Sequence, residues 1–152
     1  MATSPQFAAT PKSWQAWVVP TAGGTTQTAT ITTAGLQATN NARSGTGTST
    51  AVPTGSVSLL AAGASGSRVD EITFTALVNS TASVGRIFVY NGTNHYLYKE
   101  IIIPANTASA SNPVMSVTTT FNNFVIPSGS SVYVSTSVLD SGYSVVAFGG
   151  DF

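Results

Sequence analysis

Few side chains in this sequence are suited to moving protons: one histidine and five carboxylates, which are His95, Asp70, Glu71, Glu100, Asp140 and Asp151. A catalytic histidine needs an acid that orients it and a nucleophile within hydrogen-bond reach. Serines are so frequent here that a serine near His95 is not informative, and no G-x-S-x-G nucleophile elbow is present. We therefore predict that His95 is a solvated residue at a turn and that the protein is not an enzyme.

The carboxylates form no recognisable pair. Asp70 and Glu71 are neighbours on a predicted strand, so their side chains point to opposite faces, whereas a glycosidase places two carboxyl groups across a cleft. The expected roles are structural: one of these two acids pairs with Arg68 or Arg86, and Asp140 sets a turn. A metal site needs three or four convergent ligands, and cysteine is absent. The sequence therefore predicts no catalytic residues, no metal and no cofactor.

Charge is scarce, and this scarcity excludes several kinds of partner. The chain has 152 residues, the length of one domain, with five basic against five acidic side chains and a formal net charge of zero. The basic residues are scattered, so no cationic patch is available for nucleic-acid phosphates or for an anionic membrane. No apolar run approaches the ~18 residues of a membrane span, and no signal-peptide pattern is present. We expect neither a nucleic-acid nor a membrane partner.

Composition and periodicity both indicate strands. The chain has 23 threonines, 20 serines and 16 valines, which is a composition typical of strands. Alternating segments separated by turns indicate about seven to nine short strands and no convincing helix. This spacing predicts an all-β fold, an antiparallel β-sandwich of jelly-roll type with an irregular N-terminal arm. The predicted core contains Ile72, Phe74, Ala76, Val132, Val134 and Val138.

Three segments differ in character along the chain. Residues 1–20 are predicted to form the N-terminal arm, and residues 21–55 are a Thr/Ala/Gly-rich segment that adds one or two strands to the sandwich. Residues 56–152 are predicted to form the β-sandwich core. The division follows the sharper alternation that begins at Ser56.

The arm holds both tryptophans of the chain, Trp14 and Trp17. One interpretation is that they fill the end of the sandwich core. We favour the other, in which they bind a partner together with Val18 and Val19, because Trp is frequent among binding hot spots. A sugar-binding platform is a third option, although acids and amides are not clustered nearby.

Asn91-Gly92 is a strong hairpin signal between two apolar segments. A two-residue loop places Phe88 opposite His95, and a four-residue loop places Phe88 opposite Leu97. In both registers each face is apolar or aromatic, although an antiparallel sheet of a monomeric sandwich usually presents one polar face to water. We expect the second face to be covered by the N-terminal segment or by another subunit; a central strand under a long loop is the alternative. The candidate subunit-interface residues are Ile87, Val89, Tyr96 and Tyr98.

Four short segments carry a resemblance to a known class of proteins. They are Gly63-Ala64-Ser65-Gly66-Ser67-Arg68, the hairpin from Arg86 to Leu97, the strand from Ile126 to Val134, and the terminal Phe148-Gly-Gly-Asp-Phe152. Together they resemble small structural proteins of tailed bacteriophages, of the capsid decoration (cement) kind. The resemblance covers about Ser56 to Phe152.

The resemblance implies a virion β-sandwich, often a homotrimer, that lies on the outer capsid surface, contacts the major capsid protein and has no catalytic residues. We expect such a protein to be made in the host cytoplasm and to act in the virion. The alternative function is a fibre-tip or receptor-binding module that recognises a bacterial surface glycan. A small glycan hydrolase is a more distant third.

Overall fold

The computed structural model describes residues 10–18, 56–138 and 142–152, together with the backbone of three two-residue strands. The described residues form eleven strands and contain no helix. The strands are β1 (Thr10–Val18), β2 (Thr32–Thr33), β3 (Leu36–Gln37), β4 (Thr48–Ser49), β5 (Val57–Ala61), β6 (Ser67–Ala76), β7 (Ser83–Tyr90), β8 (His95–Ile103), β9 (Ser116–Ile126), β10 (Ser131–Thr136) and β11 (Tyr143–Asp151).

Nine of these strands form two sheets. The first sheet has the order β1-β11-β6-β9, and the second has the order β4-β8-β7-β10-β5. The short strands β2 and β3 pair only with each other. All pairings are antiparallel. The prediction of an all-β antiparallel sandwich is therefore confirmed.

The core lies between the inner faces of the two sheets, as the alternation of β6 predicts. Ile72, Phe74 and Ala76 are at most 2% exposed, and the residues between them are partly exposed. From the second sheet, Val132 and Val134 are fully buried in the same cluster. These five residues confirm the predicted core.

The predicted core also included Val138, and this residue is only partly buried. It lies beyond the end of β10 at Thr136. The alternating pattern continues past the last residue that pairs in the sheet, so alternation alone placed the boundary of the core too far along the chain.

The hairpin between β7 and β8 has the four-residue loop. The Asn91 amide donates to the Asn94 carbonyl at 3.1 Å, and Phe88 lies opposite Leu97. The Asn91 side-chain oxygen accepts hydrogen bonds from the backbone amides of Thr93 and Asn94. Gly92 has a φ of 91°, which glycine adopts at little cost.

Residues 10–18 differ from the expected irregular arm. They form the regular strand β1, which pairs with β11 from Thr10 opposite Asp151 to Val18 opposite Tyr143. Ala16 and Val18 are buried in the core, and Gln15 and Trp17 are exposed. Inward and outward residues do alternate in this segment of the sequence. Trp17, however, is a large apolar residue on the outward side, so apolar and polar residues do not alternate regularly. Residues 1–9 and 19–20 lie outside the described part of the chain.

Truncating a core aromatic tests this arrangement. We expect Phe74→Ala to lower the free energy of unfolding by roughly 3–5 kcal/mol, because the ring is 1% exposed and its removal leaves a cavity. Leu77→Ala is the control, since Leu77 is 38% exposed and should cost less than about 1 kcal/mol. Urea denaturation measures both. Equal costs for the two variants would contradict the assignment of Phe74 to the core.

Candidate functional site

The four arm residues predicted to bind a partner lie in different environments. Trp14 is partly buried and packs against the core, and Val18 is fully buried within it. Trp17 is 50% exposed and points away from the core. Val19 lies outside the described residues. Of the three that are described, Trp17 alone offers a partner a large exposed surface.

Trp17 belongs to the outer surface of the first sheet, which we call the hydroxyl face. Strand register and alternation give it three rows of outward residues, whose members are Trp17, Ser144, Thr75 and Ser116, then Gln15, Val146, Thr73 and Thr118, then Ser13, Phe148, Glu71 and Thr120. Seven of the twelve are serine or threonine, and Glu71 is the one ionisable side chain. The face is therefore almost uncharged.

Hydroxyl groups on this face bond to one another across the strands. The Thr73 and Thr118 hydroxyl oxygens are 2.7 Å apart, and those of Thr75 and Ser116 are 3.1 Å apart. Hydroxyls rotate freely and both donate and accept hydrogen bonds. The same groups can therefore turn toward an external polar ligand without leaving a buried atom unpaired.

A hollow of about 400 Å³ interrupts the hydroxyl face at one end. Its lining residues are Pro11, Lys12, Ser13, Asp70, Phe148 and Gly149. They come from β1, β6 and β11, so strands from both ends of the chain build it. We call it the bulge hollow.

A β-bulge shapes this hollow. In the pairing of β11 with β6, Phe148 lies opposite Glu71 and Gly149 lies opposite Val69, so Asp70 is the extra residue. A Cβ at Gly149 would lie 1.9 Å from the Arg68 carbonyl oxygen, and glycine is thus required for the strands to approach. Bulges of this kind re-aim side chains. Phe148, at 48% exposure, projects beside the hollow.

The first and last strands are also joined by charge. Lys12 forms an ion pair with Asp151, and the Ser67 hydroxyl donates to the other Asp151 oxygen at 2.6 Å. The Gly63 amide donates to the same hydroxyl at 3.0 Å. The hydrogen bonds from Lys12 and Ser67 hold the pKa of Asp151 below its ordinary value of 3.8. We call this group the Asp151 cluster.

His95 differs from the solvated turn residue that we expected. It is 3% exposed and lies in an aromatic cluster, with ring centroids 4.5 Å from Tyr90 and 5.1 Å from Tyr133. Tyr90 is its hairpin partner, but Tyr133 comes from β10, some forty residues later. The prediction of a solvated histidine was therefore wrong. The sequence pattern around His95 gives no sign of the contact with Tyr133, because that residue lies on a distant strand.

Two charged pairs complete the account of the ionic residues predicted from sequence. Arg68 pairs with Asp70 at 2.8 Å, as expected. Arg86 pairs with Glu100 at 3.1 Å, across the β7–β8 ladder, and not with Asp70 or Glu71. Asp140 lies outside the described residues.

The predicted subunit-interface residues divide between core and surface. Ile87 is fully buried between the sheets, which corrects its assignment to an interface, and Val89 is partly buried against the same core. The hairpin face that they share with Tyr96 is the inner face, since the opposite face carries Phe88 in a separate cluster. Tyr98 lies next to a break in register and is 48% exposed.

Tyr98 takes part in a second aromatic cluster at the edge of the sandwich. Its ring stacks on Phe124 with centroids 4.2 Å apart and planes 3° apart. Phe121 joins them, and the Lys99 ammonium lies 5.0 Å from the Phe121 ring centre. These contacts connect β8 of one sheet to β9 of the other.

Comparisons with protein families, with curated proteins and with solved structures find no match. Within the described residues, no three His, Cys, Asp or Glu side chains are grouped so that they could hold a metal ion. The same part of the chain contains no helix of the length and apolarity that a membrane span requires.

The Asp151 cluster leads to a prediction about pH. Because the pKa of Asp151 is lowered in the folded protein, the ionised carboxylate stabilises the fold above its ordinary pKa, and this contribution is lost as pH falls through the lowered value. We expect Asp151→Asn to be less stable than the wild type at neutral pH. The difference in unfolding free energy should shrink in acid.

Lys12→Gln provides the matched control for this prediction. It removes the same ion pair from the other side, so the double variant should lose less than the sum of the two single losses. Urea unfolding across a series of acidic and neutral buffers measures all four proteins. A wild-type advantage that stays constant with pH would contradict the prediction.

Proposed function

We propose that this protein is a virion structural protein, a capsid decoration protein that binds the outer surface of a phage capsid and stabilises it. The observation that carries the proposal is the hydroxyl face, a broad and almost uncharged sheet surface with a half-exposed tryptophan, Trp17. Docking the twelve residues of this face costs little desolvation, because Glu71 is the one ionisable side chain among them and the charged residues of the bulge hollow lie at its end. The sequence resemblance of residues 56–152 points to the same role.

We also propose that the sandwich is an eight-stranded jelly roll. If β2, β3 and β4 are set aside, the remaining strands in chain order form one sheet ordered first-eighth-third-sixth and another ordered fifth-fourth-seventh-second. Two Greek keys folded together produce this arrangement, which recurs in viral capsid domains. The strand order therefore supports a virion role at the level of architecture.

Trp17 is the proposed anchor on the major capsid protein. It stands at one corner of the hydroxyl face, opposite Ser144 on β11. Tryptophan buries a large area on binding and loses little side-chain conformational entropy. It is common among hot-spot residues. The small hydroxyls around it allow close approach of a partner surface and supply hydrogen bonds at the rim.

Capsid co-sedimentation tests the anchor. We expect Trp17→Ala to weaken binding to capsids assembled without this protein by at least about tenfold, with equal binding at low and high salt because the footprint has almost no charge to screen. Leu77→Ala is the control, since Leu77 is an exposed apolar residue just beyond the end of β6 and is not one of the twelve residues of the face. Undiminished binding by Trp17→Ala would contradict the anchor, and failure of the wild type to bind would contradict the decoration role.

A homotrimer is part of the same proposal, with β8 as the contact strand. Tyr98 and Ile102 are 48% and 78% exposed on this strand. Exposed apolar side chains on a strand at the side of a sandwich favour association with another copy. In such a contact, the neighbouring copy would shield the Tyr98 and Ile102 side chains from water.

We expect Tyr98→Glu to convert the oligomer to monomers, because a carboxylate buried in the contact would be unpaired. Tyr98→Phe keeps the stack on Phe124 and should remain an oligomer. Sedimentation equilibrium measures the state of each variant, and circular dichroism confirms that each is folded. A wild type that sediments as a monomer at micromolar concentration would remove the basis for the trimer.

The alternative function is a fibre-tip or receptor-binding module that recognises a bacterial surface glycan. Copy number separates it from the decoration role, because a decoration protein covers the whole shell and a fibre tip occupies a few positions. Densitometry of purified particles against the major capsid protein measures this ratio.

A further inference from the structure

Charged side chains occur in and next to the bulge hollow of this charge-poor chain. Lys12 and Asp70 line the hollow, and Arg68 pairs with Asp70 beside it. Glu71 is the outward residue opposite Phe148. The Lys12 ammonium is already paired with Asp151, whose carboxylate also accepts a hydrogen bond from the buried Ser67.

The polar groups of the hollow present donors and acceptors side by side. The Asp70 carboxylate pairs with Arg68, through Nε at 2.8 Å and through Nη2 at 3.2 Å. An ionised carboxylate has about four lone-pair sites and a guanidinium has five N–H donors, so both keep bonding capacity after pairing. Asp70 remains 50% exposed and Arg68 remains 32% exposed. Ser13 adds an exposed hydroxyl on the opposite wall.

An aromatic ring completes the site. Phe148 is 48% exposed and lines the same hollow. A ring with a free face next to paired donors and acceptors matches a ligand with one apolar face and hydroxyl groups along its rim. The pyranose ring of a sugar has this form, since its C–H groups pack on an aromatic ring and its neighbouring hydroxyls bond to a carboxylate and a guanidinium.

Other classes of ligand fit less well. Lys12 is paired with Asp151 and Arg68 with Asp70, so the cations in and beside the hollow are already neutralised and offer little attraction to phosphate, sulfate or acidic sugars. A metal ion lacks the three convergent ligands that it needs among the described residues. A purely apolar ligand would strip water from Asp70 and Arg68 without replacing their hydrogen bonds.

We infer that the bulge hollow is a saccharide-binding site that takes one ring of a neutral oligosaccharide, with Phe148 as the stacking platform and with Asp70, Arg68 and Ser13 as hydrogen-bonding partners. The volume of about 400 Å³ lies near the lower end of ligand sites, which span roughly 300–1,000 Å³. The inference goes beyond the capsid role and is independent of it, since it concerns the isolated protein.

Titration with defined sugars tests the site. The probes are cellotetraose, maltotetraose and the tetramer of N-acetylglucosamine as neutral ligands, with tetragalacturonate as the acidic comparison. Backbone amide shifts of the ¹⁵N-labelled protein report both affinity and position. We expect at least one neutral probe to bind saturably at millimolar concentration, with the largest shifts at Ser13, Asp70 and Gly149, and weaker binding of tetragalacturonate. Binding of cellotetraose or maltotetraose indicates a glucan as the source, and binding of the N-acetylglucosamine tetramer indicates an amino-sugar polymer.

Three variants separate the parts of the site. Phe148→Ala should weaken binding of the neutral probe by about three- to tenfold, the worth of one stacked ring, and Phe148→Leu should do the same while keeping apolar bulk. Asp70→Asn should also weaken it, because hydrogen bonds to a charged oxygen are the stronger ones. Val146→Ala lies two residues from Phe148 on the same face and should leave the affinity unchanged.

Each remaining outcome overturns the inference. They are no binding by any neutral probe at millimolar concentration, unchanged affinity in both Phe148 variants, and tighter binding of tetragalacturonate than of the neutral probes. Because capsid co-sedimentation is a separate measurement, loss of the saccharide site leaves the decoration role standing, and loss of the decoration role leaves the saccharide site standing.

Discussion

The pairing of the first described strand with the last is the interaction on which the other features depend. β1 runs antiparallel to β11 over nine residue pairs, from Thr10–Asp151 to Val18–Tyr143. It converts β11 from an edge strand into an inner strand, supplies Ala16 and Val18 to the core, and leaves Trp17 on the outside. The ion pair of Lys12 with Asp151 closes the end of this ladder. Without β1, the bulge hollow would lose one wall and the hydroxyl face one edge.

Local sequence patterns predicted the parts of the fold that local sequence controls. The alternation that includes Phe74 predicted a half-buried strand, and Asn91-Gly92 predicted the hairpin turn, because both depend on neighbouring residues. His95 was misjudged because Tyr133, which covers it, arrives from a distant strand. Ile87 was misjudged because both faces of its strand are apolar, so periodicity could not tell the core face from the other.

The bulge hollow shows the same limit at the level of a site. Its walls come from three strands, and Asp70 enters it only because β6 carries one residue more than β11 at that point. Consecutive glycines at 149 and 150 were the sequence signal for an irregular ladder, but glycines mark turns as often as bulges. The position of Phe148 beside Asp70 follows from the register of β11 against β6, which alternation does not determine.

The separation of β1 from its partner also governs when the molecule can become complete. A ribosome releases β1 more than a hundred residues before β11, so β1 has no strand to pair with until those residues have been made. Such non-local pairings give a high contact order, and proteins of that kind fold in milliseconds to seconds. During synthesis the buried side of β1 has no sheet to cover it and is open to neighbouring chains. The pairing of β1 with β11 therefore forms late, after every other strand of the two sheets has been made.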